Sequence, residues 1–280
     1  MTVKIVTDSL GDIPSEVTEE LGITIIPLNV LFGEGIYRDG VDLTTEQFYE
    51  KLAKSKVLPT TQIASLGVFV QSYDKLAEET DEILVITNSQ KMSASYEAMT
   101  QAVGKMKRSC RVEVIDSRWA IMAQGLIVIA TARAAKEGAG LDELMTLTKK
   151  NIPRADIRMA FDSLEYLEEG GRIGKARAFL GSRLKVTPIL GIRDGEVFPF
   201  SREHSRARAI DHLYYFATSF SHIDEMAVEH ATTPKEADAL AERLKSQFPK
   251  TNIYRTMVSP VIGAHVGPRV LGVAVLGDRG

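Results

Sequence analysis

Apolar and polar positions along this 280-residue chain follow two periods that take turns. Ile83–Thr87 is a short continuous apolar run, the pattern of a strand covered on both faces, and Val3–Thr7 and Val112–Ile115 read as further strands. Between and after them apolar residues recur at helical spacing. They predict helices from Pro14 to about Leu21, over Thr45–Lys54 and Gly67–Glu79, from about Ser93 to Lys107, and over Met122–Lys136 and Leu141–Asn151. Asp12-Ile13-Pro14 offers an N-cap and an early-helix proline for the first helix. Ile23–Phe32 is β-branched but broken by Pro27, so it reads as an extended segment that bends there or sits at an edge. Strands alternating with helices of roughly ten or more residues imply βαβ units and a mostly parallel sheet.

Around Asn151-Ile152-Pro153 the pattern restarts. Strand Ile157–Phe161 precedes a hairpin with strands Pro188–Ile192 and Glu196–Phe200, whose Asp194-Gly195 is a tight-turn signal. A helix over Ser205–Phe220, a strand Met226–His230, a helix Pro234–Phe248 and strands Ile253–Met257 and Val270–Leu276 follow. The expected fold is α/β, with an N-terminal lobe over residues 1–152, a C-terminal lobe over 153–280, and a cleft between them.

Residues 164–190, LEYLEEGGRIGKARAFLGSRLKVTPIL, interrupt this rhythm. A short amphipathic helix runs into Gly170-Gly171, and a second amphipathic helix carrying Lys175, Arg177, Phe179 and Leu180 is expected after Gly174. Two glycines end a helix and allow positive φ or a close approach. Arg172, on that hinge, could be aimed at an anion. Equally, it could be a connecting-loop arginine that faces solvent.

Composition narrows the class. The chain is 44% hydrophobic and 25% charged, as ordinary soluble proteins are. A lone Cys110 leaves no intramolecular disulfide or cysteine zinc site and suits a reducing cytoplasm. The start, MTVKIVTDSLGD, lacks the pattern of a signal peptide, and no apolar run is long enough for a membrane span. A net charge of −3 gives no nucleic-acid footprint. Yet residues 1–82 hold 15 Asp and Glu against 6 Lys and Arg, whereas 172–208 hold 9 Lys and Arg against 3 Asp and Glu. That basic stretch has a folded pattern. It could meet phosphate, nucleotide or an acidic partner, or be a solvated face.

Four segments carry candidate chemistry near strand ends, where open α/β sheets bind ligands. Thr7-Asp8-Ser9 offers an aspartate that turn and cap chemistry also explains. Pro59-Thr60-Thr61-Gln62 places hydroxyls between two helices, as a cap would. Thr87–Ser93 ends in a serine that could bind an anion or cap the next helix. In Ile262–Pro268, glycines flank His265 and would let its ring reach a cleft. His204, His212, His222 and His230 lack ligand spacing with carboxylates, so no metal site is expected. There is no G-x-S-x-G elbow, no G-x-G-x-x-G and no P-loop. Hydroxyls and one histidine suit holding a carboxylate better than breaking a bond.

The chain resembles the DegV family of bacterial fatty-acid-binding proteins over essentially its whole length. LEYLEEGGRIG and KVTPIL carry the resemblance most specifically, with TDS (7–9), PLNVLFGEGIYRDG (27–40), VIDS (114–117), DGEVFP (194–199) and GAHVGP (263–268) in support. The resemblance implies a tunnel between two α/β lobes that holds one long-chain fatty acid and presents its carboxylate to a separate fatty acid kinase, which makes an acyl phosphate. It implies that Thr61, Ser93 and His265 bind the carboxylate, that Arg172 supports the head group or phosphotransfer, and that Arg202 serves kinase docking or phosphotransfer. No catalytic residue, cofactor or metal is implied, and no stable membrane insertion, although transient membrane contact is compatible with the cargo. The chain departs from the family pattern at Gln62-Ile63-Ala64, where Ser-Gln-Pro is common, and at Ala94-Ser95, where Gly-Thr is common. The alternative is a lipid ester hydrolase or acyltransferase using Ser93 and His265. A third reading is an interaction module on the basic face.

Overall fold

The computed structural model describes residues 2–180 and 186–280. Gly181–Lys185, which include Arg183 and Lys185 of the basic stretch and the first residue of KVTPIL, lie outside the described residues. The chain opens with β1 (Lys4–Asp8), α1 (Ser15–Leu21), β2 (Thr24–Ile26), β3 (Asn29–Phe32), β4 (Gly35–Arg38) and α2 (Thr45–Lys54). It continues through β5 (Thr60–Gln62), α3 (Leu66–Leu76), β6 (Glu82–Thr87), α4 (Ser95–Val103), β7 (Arg111–Asp116), α5 (Ile121–Lys136) and α6 (Leu141–Asn151). Next come β8 (Ala155–Ala160), α7 (Glu165–Glu169), β9 (Thr187–Arg193), β10 (Glu196–Glu203) and α8 (Arg206–Thr218). The last elements are β11 (Phe220–His230), α9 (Pro234–Gln247), β12 (Asn252–Met257), α10 (Pro260–Val266) and β13 (Leu271–Arg279).

Three sheets result among the described residues. β2-β1-β6-β7 is wholly parallel, as the βαβ rhythm implies. β10-β9-β8-β13-β11-β12 is antiparallel except for the β11–β12 pair. A small antiparallel sheet, β4-β3-β5, stands beside them.

Alternation along the strands sorts side chains into layers. Ile83 and Val85 of β6 join Phe69, Tyr73 and Met99 of α3 and α4, while Leu84 and Ile86 turn toward α5. In β13, Val273 and Val275 meet α8 and α9, while Ala274 and Leu276 turn toward α5. So α5 lies between the two large sheets. It is apolar all round for that reason, with residues Ile121–Ile129 all buried. Every strand of the parallel sheet precedes Asn151 and every strand of the six-stranded sheet follows it. The apolar cluster around α5 nevertheless draws on both, from Val3 to Leu276.

Some local expectations change. The second helix expected after Gly174 is a six-residue 3₁₀ turn, Gly174–Phe179, and its start is set by Gly174 at φ +52° pressed against the Val197 backbone. Thr60–Gln62 is a strand and not a cap, because Thr61 pairs with Val30 of β3. Asp12 does not cap α1; it is buried, and its carboxylate accepts from the Ser259 backbone N–H at 3.3 Å. The helix expected from Ser93 to Lys107 runs only Ser95–Val103. The hairpin turn is as expected, with Asp194 and Gly195 both at positive φ.

Gly125 of α5 passes so close to Gly11 that a Cβ on it would collide with the Gly11 carbonyl and with Met122 Sδ at 2.9 Å. Helix propensity alone would make Gly125→Ala stabilising by about 1 kcal/mol. The contact predicts the opposite sign, a loss of about 1–3 kcal/mol in urea unfolding at unchanged m. A raised midpoint would show that the two backbones are not in contact.

Candidate functional site

β5 and α10 come from opposite ends of the sequence and meet at one point. Pairing of β5 with β3 holds Thr61 with its hydroxyl 2.8 Å from Nε2 of His265, in the last turn of α10. Gly267, at φ +78°, closes that helix, and Pro260 opens it. The imidazole fits because Gly170 has no side chain; a Cβ there would overlap His265 Nδ1. The glycine pair after α7 therefore admits the histidine ring as well as turning the chain.

Ser93 stands at the entrance to α4. Its Oγ accepts from the Ser95 backbone N–H at 3.2 Å and shares a 2.9 Å hydroxyl–hydroxyl bond with Ser95. Ser95, one of the departures from the family pattern, is fully buried and so fixes the Ser93 hydroxyl. Arg172 joins two loops: its Nε donates to the Met92 carbonyl at 3.1 Å, and its Nη1 donates to the Gly170 carbonyl at 2.8 Å. This ties the residue before Ser93 to the residue under His265.

Thr61, Ser93, His265 and Arg172 all line one cavity. Its remaining walls are mainly apolar: Leu10 and Leu28 from the N-terminal half, Ile157, Met159 and Leu190 from the six-stranded sheet, Ile262 from α10. No Asp or Glu is among the described lining residues. Arg202 is not in this wall. It lies on β10 with Nη2 donating to the Ala178 carbonyl at 3.0 Å and its guanidinium 4.1 Å from the Phe179 ring centroid.

Burial, reinforced by the positive charge of Arg172, pushes the His265 pKa down from its ordinary value to about 4. The ring is thus neutral at pH 7. Its Nδ1 is buried without a partner among the described residues, and its Nε2 faces Thr61, not Ser93. A serine–histidine pair oriented by a carboxylate is therefore not assembled here. The candidate Asp8 is a buried cap: its carboxylate accepts from the backbone N–H groups of Leu10 and Asn88, at 3.1 and 3.0 Å, and from Gln124 Nε2. Burial raises its pKa against those bonds. Among the described residues no group of His, Cys, Asp or Glu could hold a metal ion, and no helix is long and apolar enough to cross a membrane.

Sequence reasoning passes over Asn88. It follows directly on β6, is 1% exposed, lines the cavity, and its Oδ1 has no partner among the described residues. A polar residue at the carboxyl end of a buried parallel strand was the available signal.

Comparison with known proteins gives a consistent result. A family model described as uncharacterised proteins of the DegV family matches residues 2–278. A DegV domain-containing protein of Caldanaerobacter subterraneus is 33% identical over 275 residues, covering 97% of each chain. A solved structure from Bacillus subtilis, described as DegV, a fatty acid binding protein, superposes with a TM-score of 0.90 at 30% identity, covering 99% of each chain. A DegV family protein from Thermus thermophilus, described for its fatty acid binding, gives 0.90 at 27% identity, covering 99% of this chain and 100% of that one.

The unfolded chain takes a proton on His265 near pH 6.5, while the folded one resists until about 4. The stabilising effect is full above 6.5 and declines as pH falls from there toward 4. In ligand-free protein, NMR of the His265 ring should show it neutral down to about pH 5, and Arg172→Ala should raise its pKa. Titration near 6.5 in the parent protein would contradict the buried, Arg172-facing placement.

Proposed function

The chain belongs to the DegV family, and we propose that it binds one long-chain fatty acid in this cavity and presents the carboxylate to a fatty acid kinase for acyl phosphate formation. The carrying observation is an apolar cavity with two hydroxyls and a neutral imidazole on its wall and no carboxylate among the described lining residues. An acyl chain of about 15 methylenes gains on the order of 12 kcal/mol gross from leaving water, before the costs of ordering. The head group then needs donors, since an unpaired buried carboxylate is expensive. With the proton of His265 on Nε2, the ring donates to Thr61 Oγ1. The Thr61 hydroxyl is then free to donate to a carboxylate oxygen, alongside Ser93.

Residues 1–152 and 153–280 act in this reading as two lobes with the tunnel between them. Arg172 braces the head-group loops through its two carbonyl bonds. Arg202, exposed on the basic face and stacked on Phe179, serves kinase docking or phosphotransfer. The lone Cys110 agrees with work in a reducing cytoplasm.

Protein denatured and extracted after purification should release about one fatty acid per chain by mass spectrometry. Thr61→Ala and Ser93→Ala should each weaken binding by roughly 10- to 100-fold, the worth of a hydrogen bond to a charged group. Failure of the pure protein to bind any C14–C18 acid would end the proposal. For the partner, Arg202→Glu should keep lipid retention and abolish acyl phosphate formation with kinase and ATP. Arg172→Ala should weaken retention itself; unchanged retention with lost phosphorylation would remove its bracing role.

A further inference from the structure

A second cleft lies between the loop that enters α5, the end of α6 and the β9–β10 hairpin, and among the described lining residues it shares only Ile192 with the first cavity. Five cations are among its described lining residues: Arg118, Lys149, Arg158, Arg193 and Arg279. Asp156 and Asp194 are the only carboxylates among its described lining residues. A local charge of +3 on a chain of net −3 is a concentrated field in a concave site.

The pairing inside the cleft leaves that charge uncompensated. Arg158 is 6% exposed, stacks over Phe200 with 3.3 Å to the ring centroid, and bonds Asp156 and the Ile157 carbonyl. Arg279 uses the same Asp156. Arg193 stacks on Phe198 at 4.0 Å and has no carboxylate within salt-bridge distance among the described residues. One carboxylate thus serves two guanidiniums while a third stands beside them. Arg279 and Arg193 both act against the charge on Arg158, adding to the effect of its burial. Arg118 pairs with Asp194 at 3.1 Å, but both are more than half exposed, so that bridge opens at little cost. Lys149 also complements the negative end of α6. The uncompensated charge therefore lies on the three arginines around Asp156.

We propose that this cleft binds a small anion bearing a diphosphate group, held by Arg158, Arg193 and Arg279. Planar guanidiniums match phosphate oxygens two at a time, and the multiple charge of a diphosphate answers the local excess. The recessed Arg158 favours a small molecule that enters the cleft over a flat anionic surface. The diphosphate belongs either to free pyrophosphate or to a nucleotide.

Trp119, the single tryptophan of the chain, lines the cleft and so reports on it directly. Pyrophosphate titrated into the full chain at low salt should give a saturable change in Trp119 fluorescence, with an affinity that falls steeply as salt is added. Calorimetry with ADP separates the two sources: tighter binding than pyrophosphate assigns a nucleotide, equal or weaker binding assigns the free anion. Arg193→Glu should lower the affinity at least tenfold and leave fatty acid retention unchanged. Lys149→Glu, on a separate element, should lower it too, which guards against a local effect on the hairpin. The proposal is overturned by no saturable response to either probe, by equal affinity in Arg193→Glu, or by a response confined to vesicles of anionic lipid.

Discussion

A helix segment with a sheet on either side has no face left for water. The Ile121–Ile129 part of α5 is in that position, and much of the molecule follows from it. Its residues must be apolar around the full turn, and its few polar groups must find partners inside the protein. Gln124 donates to Thr7 and Asp8 of β1; Thr131 meets Thr148 of α6; Arg133 reaches Glu225 and the Tyr254 hydroxyl of the six-stranded sheet. Each bond fixes the helix against a different neighbour. At its N-terminal end Ala120 and Ile121 line the cavity, and Ile121 is held at φ +59°. A β-branched residue in that region costs about 1–3 kcal/mol and persists only where its surroundings leave no alternative.

In the proposed function, the head-group site works by removing charge. In a setting this dry, an imidazolium would bind a carboxylate tightly but would itself be costly to bury. Burial and Arg172 instead keep His265 neutral, so it acts by orienting a hydroxyl. Arg172 contributes its charge from the exposed rim, where water shares the cost. On the proposed reading, the division between a neutral donor set inside and the exposed Arg172 guanidinium would leave a bound carboxylate held but not neutralised, and so still able to act as a nucleophile toward phosphorus.

Much of this was legible in the sequence, for reasons that can be named. β6 showed because a strand covered on both faces is apolar in an unbroken run, and β1 and β7 showed through short β-branched stretches that alternate with helices. Ser93 stood out because it lies between β6 and α4, and His265 because glycines flank it. β5 was not legible: three residues are too few to show alternation, and the strand exists only through its pairing with β3. The 3₁₀ turn after Gly174 was hidden because its residues keep helical apolar spacing while the Val197 backbone fixes the start. Nor could spacing show that Gly170 makes room for His265, since the two are 95 positions apart.

The position of β13 carries a consequence for biosynthesis. This strand is built from residues 271–279 yet sits in the interior of its sheet, between β8 and β11. Emerging from the ribosome, the first 150 residues contain everything the parallel sheet requires. The larger sheet lacks its middle until residue 279 is free, so β8 and β11 wait with open edges. The Thr61–His265 contact, 204 residues apart in sequence, belongs to that last stage. On the proposed reading, a nascent chain could not hold its ligand before β13 has paired, because the Thr61–His265 contact would not yet be made.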